Sequence, residues 1–262
     1  MPELPDLEVF AENLMKKTAD KTICSAEIFN HSKVSGDLTS VRETLLGRRI
    51  VRITRSGKEL YFHTGDGCAF SVHLMLSGRF DICPQSRIAG ISFKILTIGF
   101  EDGSALAVSD YQGMARVTMN PTVPSVPDAL SPEFTLGYFL NAANGSRRKN
   151  IKAFIISQDI LRGIGNAYAD EILWAAGISP ESVTGKIPAD KLEELYNAIG
   201  RVLREAVINI RRLAPDIISG EERSFLSVHN PHKKRTDEGD LIKVGRIASK
   251  TTYYTEKQTV FK

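Results

Sequence analysis

The chain has 262 residues, of which 42% are hydrophobic and 25% charged, the profile of a soluble globular protein with one large or two smaller domains. No apolar run approaches the roughly 20 residues that cross a bilayer, and the acidic N-terminus does not resemble a secretory signal. The three cysteines, Cys24, Cys68 and Cys83, lack the spacing of a metal site or a disulfide framework. We therefore expect no membrane partner, no metal and a reducing, cytoplasmic location. The net charge of +3 is too small to establish a nucleic-acid partner by itself.

The chain starts with Met1-Pro2-Glu3. Removal of Met1 would leave Pro2 with a free secondary amine, which can attack a carbonyl carbon and form an iminium. An α-amino group titrates near pH 8, about two units below lysine, so more of it is unprotonated at neutral pH. Glu3 is close enough in the chain to transfer protons in such a reaction. On these residues alone, an ordinary processed start with a solvated acid is the alternative.

The first half of the chain predicts one helix followed by many short strands. Residues 6–17 carry apolar side chains at helical spacing, with acids in the first turn. Strand-like runs then follow at 49–54, 59–63, 69–74, 91–100 and 105–109. Short strands separated by turn residues favour an antiparallel sandwich or barrel.

The second half predicts helices and a β-rich tail. Three prolines within residues 120–127 indicate a linker. Helical spacing follows at 132–141, 151–157, 166–176 and 189–213, and strands are predicted at 251–254 and 259–261. Basic residues cluster at 147–152 and again at 233–235. A polyanion-binding face and ordinary solvated surface both explain these clusters.

The sequence Gly163-Ile164-Gly165-Asn166 precedes a predicted helix. Two glycines let the backbone approach a ligand closely, and a helix start offers free N–H groups to a phosphate. Asn166 is a favourable cap and can also donate its side-chain amide. A tight helix–helix turn with glycines for packing is the alternative.

Four ordered motifs resemble those of the formamidopyrimidine-DNA glycosylase and endonuclease VIII family. Residues 2–8 match Pro-Glu-Leu-Pro-Glu-x-Glu except at Asp6, and residues 160–171 match the helix-two-turn-helix motif Ile-Ala-Gly-Ile-Gly-Asn-x-Tyr-Ala-Asp-Glu with a difference near Leu161. Residues 55–60 and 73–78 are similar to Arg-x-x-Lys-x-Leu and His-Leu-x-Met-Ser-Gly. The resemblance covers nearly the whole chain.

The resemblance implies a set of catalytic and DNA-binding residues. Pro2 would be the nucleophile, Glu3 the proton donor, and Lys58 a contact to the phosphate beside the lesion. The DNA backbone would be contacted by Asn166, Lys250, His73 and Lys152. For His73 a place in the core is an equal alternative. Base flipping is implied, because the lesion must leave the stack to reach Pro2.

Three departures from the family pattern matter. Bacterial members end in a zinc finger with two Cys-x-x-Cys pairs, but this chain has no cysteine after Cys83, so the resemblance implies a zincless finger hairpin with Lys250 in place of the family's arginine. The side chains that fill the gap in the base stack would be Leu76, Gln112 and Met114, in place of the family's Met, Arg and Phe. Asp6 is one methylene shorter than the family's Glu.

We therefore predict an α+β protein of two domains: an antiparallel β-sandwich with flanking helices, and a helical helix-two-turn-helix domain with a β-hairpin zincless finger. The predicted bounds are 1–120 for the catalytic sandwich, 121–131 for the linker, 132–225 for the helical domain and 226–262 for the hairpin. The predicted function is excision of oxidised or ring-opened bases and β-elimination at the abasic site, without a cofactor. The expected partner is damaged double-stranded DNA, bound by a monomer near the nucleoid. The alternatives are a DNA-binding or lyase-only member without base excision, and an RNA-binding protein with a similar helix hairpin.

Overall fold

The computed structural model describes residues 1–36, 41–65 and 67–262, which form two compact units. The first unit contains Met1–Val123 and Ile210–Glu221, and the second contains Pro124–Asn209 and Glu222–Lys262. No helix in the described part of the chain is long and apolar enough to cross a membrane.

The first unit contains a long helix, α1 (Leu4–Thr18), a short helix, α2 (Val41–Leu45), and a series of strands. The strands are β1 (Ile23–Ile28), β2 (Val34–Ser35), β3 (Arg52–Ser56), β4 (Glu59–Thr64), β5 (Gly67–His73), β6 (Arg79–Pro84), β7 (Lys94–Phe100), β8 (Ser104–Ser109) and β9 (Arg116–Met119). They form a four-stranded sheet in the order β1-β7-β8-β6 and a five-stranded sheet in the order β2-β9-β5-β4-β3. The predicted two-sheet architecture is confirmed.

One strand pair differs from the predicted antiparallel arrangement. Val34 and Ser35 of β2 run parallel to Val117 and Thr118 of β9. A parallel pair needs a long crossover connection, and here most of the first unit lies between the two strands in sequence. The sandwich is therefore antiparallel as predicted, with this two-residue parallel pair at one edge.

The core of the first unit lies between the two sheets and against α1. Phe62 of β4 stacks on Phe70 of β5 with centroids 4.4 Å apart, and it contacts Phe80 of the other sheet at 5.8 Å. From α1, Leu7, Phe10 and Leu14 enter the same core, as their spacing predicts. This packing fixes the start of α1 firmly against the sandwich.

The second unit is helical and ends in a hairpin. Its elements are α3 (Leu136–Gly145), α4 (Ile151–Ile155), α5 (Asn166–Ala175), most of α6 (Ala189–Leu213), β10 (Lys243–Ile247) and β11 (Lys250–Tyr254). β10 and β11 pair antiparallel. The predicted helical domain with a terminal hairpin is confirmed.

The strand predicted at 259–261 does not form. Thr259 makes an isolated parallel bridge with Ile178 instead. Its backbone N–H donates to the carbonyl of Gly177, and its carbonyl accepts from the N–H of Ser179. The β-branched residues that suggested a strand thus pair with the loop after α5 rather than with a sheet.

Candidate active site

The N-terminal residues are held by the first turn of α1. Pro5 is in that turn, where a missing N–H costs no helical hydrogen bond. The backbone N–H of Glu3 donates to Oδ2 of Asp6 at 2.8 Å, and Asp6 is wholly buried. A carboxylate at the third helical position that binds the residue before the helix is one half of a capping box. Asp6, the departure from the family pattern, therefore reaches far enough to hold Glu3.

Pro2 lies in an open hollow of about 350 Å³ in the first unit. The terminal ammonium of Met1 pairs with Glu221, another lining residue, while Glu3 is buried. The other lining residues are Leu76, Ser77, Gly78, Arg79, Tyr111, Ser219 and Gly220. Removal of Met1 would place a secondary amine in a space that is open to a ligand.

Lys58 belongs to the two-residue turn that joins β3 to β4. Gly57 occupies the other turn position with φ +62°, a conformation that favours glycine. Arg55 ties this turn to α1, because its Nε donates to Oε2 of Glu8 at 2.6 Å and its Nη1 to the carbonyl of Gly57 at 3.2 Å. The turn that carries Lys58 is thus attached through Arg55 to α1, the helix that begins two residues after Pro2.

His73 ends β5 and lies within electrostatic range of Lys58. Its Nδ1 accepts a hydrogen bond from the N–H of Met75 at 3.1 Å, so Nε2 carries the proton of the neutral ring. Burial lowers the pKa of His73, Glu59 opposes this effect, and Lys58 and Arg116 add to it. The side chain is therefore a neutral donor close to the Lys58 turn.

Asp110 ties together the two loops that carry the predicted stack-filling residues. Its carboxylate accepts from the hydroxyl of Ser77 in one loop. It also accepts from the backbone N–H groups of Gln112, Met114 and Ala115 in the other loop, at 3.0, 2.6 and 2.6 Å. Burial opposes the charge of Asp110, but these four hydrogen bonds outweigh it and lower its pKa.

The predicted stack-filling residues are exposed around this carboxylate. Leu76 is 54% exposed and lines the Pro2 hollow, while Met114 is 37% exposed and Gln112 is also exposed. The structure brings Leu76 next to Pro2, and it adds an exposed aromatic residue, Tyr111, that the motif comparison did not single out.

Asn166 opens α5 in the second unit, after a glycine turn. Gly163 has φ +105°, which a side chain would disfavour, and its N–H donates to the side chain of Gln158 at 3.0 Å. Nδ2 of Asn166 donates to the carbonyl of Thr251 in β11 at 2.9 Å. The helix start is therefore attached to the hairpin.

Lys152, predicted as a DNA contact, is fully buried. Its Nζ pairs with Oδ1 of Asp170 at 2.7 Å and donates to the hydroxyl of Thr252 in β11 at 2.7 Å. Oδ2 of Asp170 contacts Nδ1 of His229 at 2.7 Å and accepts from the N–H of Tyr253 at 2.9 Å. In this arrangement the Lys152 ammonium cannot reach a phosphate, and it joins the helical part to the hairpin instead.

Glu171, the neighbour of Asp170, holds a further loop. Its carboxylate accepts from the backbone N–H groups of Ser227, Val228 and His229 at 2.9, 2.8 and 2.7 Å. Burial raises the pKa of Glu171, although the three donors favour the charged form.

Lys250 is exposed and follows the hairpin turn formed by Ala248 and Ser249. Both turn residues have positive φ, +50° and +60°, as a type I′ turn requires. This turn has the twist that suits a two-residue hairpin, and it presents Lys250 at the hairpin tip.

The hairpin is anchored without cysteine ligands. Across residues 1–36, 41–65 and 67–262, no group of three or more His, Cys, Asp and Glu side chains is arranged to hold a metal. At the base of the hairpin, the N–H of Thr255 donates to Oε1 of Gln258, whose Nε2 donates to the carbonyl of Ile178, both at 2.8 Å. The side chains at the base of the hairpin do not form a set of ligands for a zinc ion. Hydrogen bonds hold this end of the hairpin instead.

Sequence reasoning missed the carboxylates that organise both units. Asp110 lies two residues before Gln112, and Asp170 lies within the helix-two-turn-helix motif, but spacing alone does not show which donors surround them. Glu221 lies 219 residues from Pro2 in sequence, and only the fold reveals that they share a hollow.

Two family models match the chain. The formamidopyrimidine-DNA glycosylase N-terminal domain matches residues 1–117, and the formamidopyrimidine-DNA glycosylase H2TH domain matches residues 126–212.

Among curated proteins, formamidopyrimidine-DNA glycosylase of Lactobacillus gasseri is 31% identical over 212 residues, covering 78% of this chain and 76% of that protein. The protein of the same name from Pelotomaculum thermopropionicum is 28% identical and covers 97% of both. A Lactococcus lactis FPG mutant, solved in complex with a Fapy-dG containing DNA, has a TM-score of 0.81 at 25% identity, covering 97% of this chain and 98% of that one. The chain belongs to the formamidopyrimidine-DNA glycosylase family.

Proposed function

We propose that this chain removes oxidised or ring-opened bases from duplex DNA with Pro2 as the nucleophile, and then cleaves the strand by β-elimination. Family membership makes the chain a base-excision DNA glycosylase with abasic-site lyase activity. The comparisons lend no support to a member that only binds DNA. The observation that carries the proposal is the position of Pro2 at the start of a rigid helix and inside an open hollow.

The chemistry follows from the secondary amine. The nitrogen of Pro2 bonds to C1′ of the damaged nucleotide as the bond from C1′ to the base breaks, and the base leaves with that electron pair. The Pro2 nitrogen loses its proton in this step, which balances the proton that the departing base takes up. Glu3 would protonate the ring oxygen as the sugar opens to the iminium. Loss of a proton from C2′ then expels the 3′ phosphate and cuts the strand.

The phosphate contacts would come from both units. Lys58 supplies a point charge on a turn attached to α1, and the neutral His73 supplies an N–H close to it. In the second unit, Asn166 and the exposed Lys250 would contact backbone phosphates without reading sequence. Lys152 is assigned an indirect role: it holds β11, and so positions Lys250.

The substrate class is proposed from the complexes of relatives. Relatives solved from Lactococcus lactis, 25% identical to this chain, are complexes with a Fapy-dG containing DNA and with an oxidized pyrimidine containing DNA. Both lesion classes are therefore proposed substrates. With Gln112 in place of the family's arginine, we propose a weaker preference for the base opposite the lesion.

The catalytic domain would comprise residues 1–120, the linker 121–131, the helix-two-turn-helix domain 132–225 and the zincless finger 226–262. The protein would act as a monomer in the cytoplasm, in association with the nucleoid.

Borohydride trapping tests the nucleophile. Duplex DNA with an abasic site, mixed with the protein and borohydride, should give a covalent adduct through the Pro2 nitrogen. Pro2→Gly should give less adduct, because its primary amine can still form an imine but lacks the proline ring, whereas Pro5→Ala, in the same helix turn but not in the hollow, should retain it in full. Peptide mapping of the adduct to a lysine instead would refute the assignment of Pro2.

A cleavage panel separates base excision from lyase activity alone. Duplexes with ring-opened purines, oxidised purines, oxidised pyrimidines and plain abasic sites would each be paired with four opposite bases. Cleavage of at least one damaged base is expected. Cleavage of abasic sites only would favour the lyase-only alternative.

A further inference from the structure

Glu221 provides a carboxylate in the hollow that contains Pro2. Among the described residues that line this hollow, the charged ones are Arg79 and Glu221. The proposed reaction needs an acceptor for the proton that the Pro2 nitrogen loses as it bonds to C1′. Glu3, the acid next to Pro2 in sequence, is 3% exposed and does not line the hollow. Glu221 is therefore the candidate for this proton transfer.

Glu221 contacts the N-terminus of the chain directly. Its Oε1 pairs with the terminal ammonium of Met1. Three covalent bonds separate the Met1 nitrogen from the Pro2 nitrogen, so these two atoms are no more than about 3.7 Å apart. Once Met1 is removed, the terminal nitrogen is that of Pro2. A change of side-chain rotamer or one bridging water would then bring the carboxylate within reach of it.

The segment that carries Glu221 is fixed to the rest of the first unit. The hydroxyl of Ser219 accepts from the N–H of Phe80 and donates to the carbonyl of Phe80, both at 2.7 Å. The carbonyl of Ile217 accepts from Nδ2 of Asn13 in α1 at 2.9 Å. The segment is thus tied both to β6 and to the helix that follows Pro2. A catalytic group held in place in this way needs little reorganisation when the substrate binds.

Glu221 and Glu3 differ in their access to water. The side chain of Glu221 is 34% exposed, whereas Glu3 is 3% exposed and its backbone N–H is held by Asp6. An exposed carboxylate exchanges protons with water, and a buried one exchanges them with the groups that surround it. Carboxyl groups in different surroundings take different roles in one reaction. These surroundings suit Glu221 as the acceptor of a proton and Glu3 as the donor.

We propose that Glu221 is the general base for the nucleophile of this active site. It accepts the proton of the Pro2 nitrogen as that nitrogen bonds to C1′, and it passes this proton to water. The base leaves with the electron pair of its bond to C1′ and takes up one proton from water, so charge and protons balance. The inference rests on the proposed function, and it makes Glu221 a catalytic residue because its carboxylate would contact the reacting nitrogen.

The rate of adduct formation tests this role. The nitrogen loses the same proton when it condenses with the aldehyde of an abasic site. Excess protein, with the loss of Met1 confirmed by mass, is mixed with abasic duplex DNA and cyanoborohydride, which reduces the iminium in preference to the aldehyde. Glu221→Gln keeps the size of the side chain but cannot accept a proton. The rate should fall about 100-fold, the lower end of the range for a general base.

Binding of the abasic duplex should not account for this loss. Glu221→Gln removes a negative charge beside the DNA, so its affinity for the same duplex should be equal or higher. Fluorescence anisotropy without the reductant measures this affinity. Weaker binding that accounts for the whole loss of rate would overturn the inference.

Glu222 provides a matched control. It follows Glu221 in sequence, its carboxylate accepts from the N–H of Ser224 at 2.7 Å, and it does not line the hollow. Glu222→Gln removes the same charge and should leave the rate of adduct formation unchanged. An equal loss in both variants would assign the effect to net charge and overturn the inference.

A small carboxylate in solution separates catalysis from a structural role. Glu221→Ala leaves space for formate in a hollow of about 350 Å³. Formate should restore adduct formation by Glu221→Ala in proportion to its concentration, because it supplies the missing base, and it should not accelerate the unmodified protein. Sodium chloride at the same ionic strength is the control, since salt alone weakens DNA binding. If formate gives no rescue, Glu221 does not act by accepting a proton, and the inference is wrong.

The same experiment distinguishes this inference from the proposed function. If the unmodified protein gives no adduct, the proposed function fails, and the role of Glu221 fails with it. If the unmodified protein gives the adduct through Pro2 and Glu221→Gln gives it at the same rate, the proposed function stands and the role of Glu221 alone is overturned.

Discussion

Two buried aspartates, Asp110 in the first unit and Asp170 in the second, hold loops by different interactions. Within the described part of the chain, the partners of the Asp110 carboxylate are neutral donors, a hydroxyl and three backbone N–H groups. Asp170 pairs with the fully buried ammonium of Lys152 and also contacts His229. Loss of the first carboxylate removes hydrogen bonds, whereas loss of the second leaves a charge without its partner in the interior. Two buried carboxylates that both hold loops can therefore differ greatly in how much their removal lowers the free energy of unfolding.

The largest effect is expected at Asp170. Asp170→Asn would remove the carboxylate charge that pairs with the buried Lys152 ammonium at 2.7 Å, and breaking a buried ion pair costs about 3–5 kcal/mol. Urea unfolding should show this loss in the free energy of unfolding, and hydrogen exchange should show faster exchange in β11.

The matched control removes both charges. The double variant Asp170→Leu with Lys152→Met should be more stable than Asp170→Asn, because both charges of the pair are removed together. Equal stability of Asp170→Asn and the unmodified protein would show that the pair is not buried in solution.

A smaller effect is expected at Asp110. Asp110→Asn should lower the free energy of unfolding by about 1–3 kcal/mol, because an amide cannot satisfy all four donors. Hydrogen exchange at Gln112, Met114 and Ala115 should accelerate, with little change in the second unit. A loss as large as that of Asp170→Asn would contradict the proposed difference between the two sites.

The contribution of Asp110 to stability is also expected to depend on pH. The pKa of Asp110 is lower in the folded protein than its ordinary value. Its charge therefore contributes stability above the ordinary carboxyl pKa of about 3.9, and this contribution is lost as the pH falls through the lowered value. The stability difference between the unmodified protein and Asp110→Asn should shrink between pH 6 and pH 3. A constant difference over that interval would argue against the carboxylate as its source.

Asn166 is expected to affect binding rather than chemistry. Asn166→Ala should weaken binding to all duplexes alike by about 1–1.5 kcal/mol, since it would remove the proposed contact with the DNA backbone as well as the bond to Thr251. Fluorescence anisotropy with several unrelated sequences measures this. A loss confined to one sequence would indicate base recognition instead.

The smallest effect is a stabilisation in the hairpin turn. Ser249 has φ +60°, which costs a residue with a side chain about 1 kcal/mol or more and glycine almost nothing. Ser249→Gly should raise hairpin stability by up to about 1 kcal/mol, measured by hydrogen exchange of β10 and β11. A loss of protection would mean that the turn adopts another conformation.

Much of the fold was predictable from local patterns. The spacing of Leu7, Phe10 and Leu14 predicted α1, and α6 was predicted at its observed bounds. Failures occurred where partners are distant in sequence, as in the parallel β2–β9 pair. The strand predicted at 259–261 was wrong for the same reason, because the backbone partners of Thr259 lie in the loop after α5.

From local motifs alone, the proposed chemistry at Pro2, Glu3 and Lys58 could be predicted, because these residues lie in short contiguous motifs with matched spacing. Only the tertiary structure decided that Asp6 can hold Glu3, that Lys152 is buried, and that Tyr111 lines the hollow of Pro2. The physical reason is that reactivity belongs to individual side chains, whereas burial and hydrogen-bond partners depend on residues brought together from distant parts of the chain.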